Sequence, residues 1–105
     1  MKYSTLIESL KALCPTYEGG APKDYDAVAI VNQYGLHRIR GDGRDQLRLR
    51  KVQIDLFKRS ADANDVFFLS ILDTLDDLGI AFAVQDMSYD ESFNAMRCII
   101  ECEVL

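Results

Sequence analysis

The chain has 105 residues, 49% of them hydrophobic and 28% charged, with a formal charge of −5. That length suits one domain with one modest core, which buries roughly 60–70% of the unfolded surface. The composition excludes a disordered chain. No apolar run approaches the about 20 residues that cross a bilayer. Acidic Glu8 within the N-terminal MKYSTLIESLKAL argues against a secretory signal.

The charge is unevenly divided. Residues 37–51 carry Arg38, Arg40, Arg44, Arg48, Arg50 and Lys51 against Asp42 and Asp45, a local +4, so the rest of the chain carries −9. Residues 61–79 hold Asp62, Asp65, Asp73, Asp76 and Asp77 with no Lys or Arg. Three cysteines is an odd count, against a disulfide framework. On one strand Cys98 and Cys102 would lie roughly 13 Å apart, too far to bond. Buried thiols in a reducing compartment are expected.

In chain order, Tyr3, Leu6, Ile7, Leu10 and Leu13 make one helical stripe, with Glu8, Ser9 and Lys11 facing away. Thr5 with Glu8 can form a capping box, and Ser4 could equally cap. Pro15 ends the helix by excluding Cys14 from helical geometry. Thr16–Asp24 reads as loop because of Gly19, Gly20 and Pro22. Tyr25–Gln33 is a buried strand with Val28 and Ile30 on one face, closed by Gly35. Leu36–Gln46 suits a hairpin tip around Gly41-Asp42-Gly43, with the flanking strands pairing antiparallel.

Leu47–Lys58 is the long strand. Val52, Ile54 and Leu56 share one face, and Gln53, Asp55 and Phe57 the other. Leu47 and Leu49 have the opposite parity. Either a bulge sits near Arg50-Lys51, or the strand outgrows the core and its first part does another job. Asp62–Leu78 is an amphipathic helix with Phe68, Ile71, Leu72, Leu75 and Leu78 inward, Asp62 as N-cap and Gly79 as the C′ residue. Val66, Phe67 and Leu69 fall partly off that stripe. Ile80–Tyr89 buries Ile80, Phe82 and Val84, then changes parity at Met87 and Tyr89. After a turn at Asp90-Glu91, Ser92–Val104 points Met96, Cys98, Ile100, Cys102 and Val104 inward. The expected fold is α+β: a four-stranded, mostly antiparallel or mixed sheet in the order αββαββ, two helices on one face, and a charged hairpin arm between the first two strands.

Catalytic chemistry is sparse. His37 is the only histidine, and with three scattered cysteines it cannot build a zinc site. Ser60, Ser70, Ser88 and Ser92 have no histidine to complete a triad. Gly41-x-Gly43 lacks the rest of a phosphate-binding loop, and Asp76-Asp77 reads as a solvated helix face. The Arg-Gly-Asp at 40–42 is taken as coincidental. Basic and apolar residues alternate over Arg38–Lys51, as in a groove-binding β-arm. Against nucleic acid stand a pI of about 4.7 and the −9 remainder, which repels phosphate over about 8–10 Å.

The run GAPKDYDAVAIVNQYG, the charged RIRGDGRDQLRLR, then VQIDLFKRSADANDVFFLSILDTL and the closing DMSYDESFNAMRCIIECEV together resemble the small tail-terminator or tail-completion proteins of long-tailed bacteriophages and prophages. The resemblance rests on a strand ending in Ile-Asp-apolar-aromatic, a polar break, a helix and a terminal hairpin, and it covers nearly the whole chain. It implies a non-catalytic virion protein at the tail end nearest the head, made in the host cytoplasm. It also implies a commonly hexameric ring that stops tail-tube growth and meets the head-completion connector. No cofactor, metal, membrane or small-molecule substrate is implied. In such a ring the arm bearing Arg38, Arg40, Arg44 and Arg48 is expected to land on Asp73, Asp76 and Asp77 of an adjacent copy, with Leu47 and Leu49 as the apolar part. The alternative is a small adaptor or regulatory module that touches nucleic acid through residues 37–51.

Overall fold

The computed structural model describes residues 2–20, 25–41 and 44–105, apart from the side chains of 37–41 and 44–48. The elements are α1 (Tyr3–Lys11), β1 (Thr16–Glu18), β2 (Ala27–Gly41), β3 (Arg44–Lys58), α2 (Val66–Asp77), β4 (Phe82–Asp90) and β5 (Ala95–Val104). The sheet is mixed and five-stranded, in the order β1-β2-β3-β5-β4. The α+β class with two helices therefore holds, and the expectation of four strands is corrected. The added strand is β1, inside the stretch expected as loop. Its three residues pair parallel to Ala29–Val31 before Gly19, at φ +81, turns the chain away.

Both helices cover one face. Leu6 and Leu10 of α1 and Phe68, Ile71 and Leu75 of α2 have no exposed surface. They pack on Ala29 and Val31 of β2, Val52, Ile54 and Leu56 of β3, and Cys98, Ile100, Cys102 and Val104 of β5. Each fully buried Val, Leu, Ile or Phe side chain among them contributes about 1.5–3 kcal/mol. The strand residues alternate with period two, as the pattern predicted. The helix-free face carries a smaller cluster of Val28, Ile30, Phe57 and Ala95, flanked by Tyr17 and Phe93.

The helix ends differ from expectation. α1 starts at Tyr3 with no side-chain cap, so Ser4 and Thr5 lie within it. Its first amide is satisfied instead from far along the chain, the Tyr3 N–H donating to the carbonyl of Leu105 at 2.7 Å. Leu13, expected on the inward stripe, is 44% exposed because the helix stops at Lys11. In α2 the cap is Asp65, accepting from the Phe67 N–H at 2.9 Å, while Asp62 accepts from the Asn64 N–H in the preceding turn. Gly79 follows at φ +73 as predicted.

The second hairpin explains the parity change. Val84 pairs with Ile100 and Asp86 with the adjacent Ile99, leaving Gln85 as a bulge. The bulge returns Met87 to the side of Cys98. Val84, expected to be buried, is 44% exposed; β4 is the outermost strand.

Candidate interaction surface

β2 and β3 are each 15 residues long, about 50 Å at about 3.3 Å per residue, matching a molecule that measures 52 × 26 × 21 Å. They pair from Ala27 and Lys58 to Gly41 and Arg44. Gly35, expected to close the strand, lies within it after a bulge at Tyr34, and a Cβ there would meet Lys51 Cδ at 3.3 Å. β5 supports β3 only from Arg50 onward, and β1 touches β2 only at Ala29–Val31. Leu36–Gly41 and Arg44–Leu49 therefore form a two-stranded ribbon with no third strand among the described residues. Of the two readings of the Leu47 and Leu49 parity, the strand outgrows the core. β3 keeps its register with β5 through Arg50; one bulge falls on β2 at Tyr34, opposite Lys51 and Val52, and a second register shift, between Ile39 and Arg40, lies within the ribbon.

The register sets Arg38 opposite Arg48, Ile39 opposite Leu47 and His37 opposite Leu49. Alternation thus gives Ile39, Leu47 and Leu49 one set of positions, and Arg38, Arg48 and Arg50 the other. The side chains expected for the interface at Arg38, Arg40, Arg44, Leu47 and Arg48, and that of His37, lie outside the described residues, as do Asp42 and Gly43 of the tip. Leu49 is described: it is half-buried and lines a groove of about 500 Å³ with Tyr34, Ala83, Gln85, Glu101 and Glu103. Loss of water around the Tyr34 hydroxyl, then the Glu101 and Glu103 carboxylates, push its phenol above the usual range.

Where the ribbon leaves the sheet, it is held by a contact that no local pattern announces. The Arg50 guanidinium lies over the Tyr3 ring at 5.3 Å, a cation–π distance, and the Tyr3 hydroxyl donates to Glu18 at 2.7 Å. Burial, then the hydrogen bond to Glu18, push the Tyr3 phenol up to about 12. With the amide of Tyr3 on Leu105, one residue ties α1 to β1, to β3 and to the C-terminal residue.

Asp73, Asp76 and Asp77 are exposed on α2, as are Val66 and Leu69 at 77% and 47%. Cys14, Cys98 and Cys102 are buried free thiols, and burial pushes the last two up to about 11. Among the described residues no group of three His, Cys, Asp or Glu is placed to hold a metal ion. Among the described residues no helix is long and apolar enough to cross a membrane.

No protein-family model, curated protein or solved structure matches the chain.

Proposed function

We propose that the protein is a non-catalytic structural subunit of the tail-terminator kind, assembling into a ring at the head-proximal end of a phage tail. It stops growth of the tail tube there and offers a surface to the head-completion connector. It acts in the virion after assembly in the host cytoplasm. The observation that carries this reading is the ribbon Leu36–Gly41 and Arg44–Leu49, projecting past the three-stranded support of the sheet. A two-stranded ribbon is marginally stable alone in water, so its natural state is against another surface.

The charge division supports the same reading. A +4 arm on a −9 body is complementary to another copy of itself. The exposed Asp73, Asp76 and Asp77 belong to the acidic body that such an arm would meet. Head-to-tail contact of one patch with a different patch closes into a ring when the rotation permits.

The test is sedimentation and negative-stain imaging over a range of protein concentrations, with and without the tail-tube protein. Concentration-dependent oligomers or rings are expected. A chain that stays monomeric throughout, and is retained on DNA with a steep salt dependence, overturns the reading in favour of a nucleic-acid module.

A further inference from the structure

Building on the ring reading, we infer that the free edge of β4 is where the arm docks: a strand of one copy's ribbon adds to the sheet of the next beyond Phe82–Asp90. β4 ends the strand order, and no strand lies outside it among the described residues. Its outer backbone groups therefore form a nine-residue row open to pairing. Long edges are normally protected by proline, lysine or brevity. FAVQDMSYD has no proline and no cation; its one irregularity, the bulge at Gln85, leaves Asp86–Asp90 in unbroken register with β5. The opposite edge is not equivalent, because β1 is only three residues long.

The two surfaces match in backbone, charge and apolar content. The ribbon has two strands whose outer edges have no strand partner among the described residues, and strand addition gives those groups theirs. Arg38 stands opposite Arg48 in its register, so two basic positions share one level of the ribbon. β4 brings Asp86 and Asp90, and Glu91 follows directly. Asp86 accepts a hydrogen bond from the Ser88 hydroxyl at 2.8 Å, and Asp90 lies 3.9 Å from Arg97. Val84 and Tyr89, 44% and 54% exposed, add apolar surface for the Ile39 and Leu47 positions.

The same charges disfavour the other obvious occupant, a second β4. Pairing two copies of this edge would set acids against acids with no cation between them. The arm is the basic strand in this sequence with free edges, so a second copy's arm is the fitting occupant. The contact is heterologous, as a ring requires.

Amide hydrogen exchange on the intact chain, free and assembled, tests the docking. Amides of Asp86–Asp90 and of 36–49 should exchange at least about tenfold more slowly in the assembly. Assembly with unchanged β4 exchange overturns the docking and leaves the ring reading standing; no assembly, even with the tail tube, overturns both. Val84→Lys should raise the concentration needed for assembly about tenfold by placing a cation on the edge, with the thermal midpoint unchanged. Normal assembly of that variant also overturns the docking, and if it fails to fold the exchange experiment decides. Finally, Asp86→Lys with Glu91→Lys should restore part of the assembly lost in Arg44→Glu with Arg48→Glu. Rescue by Asp73→Lys with Asp77→Lys alone overturns the edge and assigns the contact to α2.

Discussion

Arg97 reaches from β5 to Asp55 on the neighbouring β3, its Nη2 3.0 Å from Oδ2, on the sheet face that carries no helix. Asp55 is only 8% exposed, the one buried charged residue of the described core, and Gln53 donates to its other oxygen at 3.1 Å. The guanidinium also lies over the Phe57 ring at 5.5 Å, while its Nε is buried without a partner. Removing the cation leaves a buried carboxylate poorly satisfied. Arg97→Met should therefore destabilise the fold by about 1–3 kcal/mol in urea unfolding. Asp55→Asn keeps one acceptor oxygen but turns its amide NH2 against the donor of Arg97 or Gln53, so it should also lower the midpoint; an unchanged midpoint for Arg97→Met would show that water serves Asp55 as well.

The core prediction separates two residues that the sequence treated alike. Ile54 has no exposed surface, whereas Leu72 only packs against the edge of the core cluster. Ile54→Ala should cost about 2–5 kcal/mol, as a large-to-small change in a packed interior does. Leu72→Ala should cost clearly less in the same titration. Equal losses would mean that α2 sits deeper on the sheet than described.

Stability should fall on the alkaline side. Burial pushes the Cys98 and Cys102 thiols from 9.0 up to about 11, and Tyr3 moves from 10.0 to about 12. Between these values the unfolded chain has released protons that the folded chain still holds, so unfolding gains with rising pH. The contribution is complete below pH 9 and is lost as pH climbs towards 11 for the thiols. Urea midpoints measured from pH 8 to 11 should decline, and Cys98→Ala with Cys102→Val should flatten that decline. The native thiols should also react slowly with a thiol reagent at pH 8; rapid modification of both would remove them from the inward face of β5.

Reversing charge on the arm should separate assembly from folding. Arg44 and Arg48 lie beyond the last residue of β3 that β5 supports, so they are remote from the core. Arg44→Glu with Arg48→Glu should weaken assembly in sedimentation and leave the monomer's thermal midpoint nearly unchanged. Exposed pairs contribute only about 0–1 kcal/mol each, so the main change should be in association rate and salt dependence. A double variant that assembles normally would mean the basic arm serves another partner.

Local patterning was enough to identify much of this protein. Alternation placed Val52, Ile54 and Leu56 on one face and Cys98, Ile100, Cys102 and Val104 with them, because a pleated strand has a fixed period of two. The 3.6-residue period placed Phe68, Ile71 and Leu75 inward, and Gly79 marked the end of α2 because a left-handed residue follows many helices. The parity change at Met87 was visible in the sequence; the bulge at Gln85 that causes it was not. Division of charge between the arm and the rest is a property of the sequence itself.

Tertiary structure decided what depends on residues distant in the chain. Thr16–Glu18 becomes a strand because Ala29–Val31 lies beside it, which no three-residue window can encode. Tyr3 begins α1 uncapped because the carbonyl of Leu105 arrives from the far end of the chain. Val84 carries an inward pattern yet is exposed, since only strand order makes β4 an edge. The pairing of Asp55 with Arg97 spans 42 residues and arises from the register of β3 against β5. Local periods select the face a side chain takes; the order and register of strands determine whether anything covers that face.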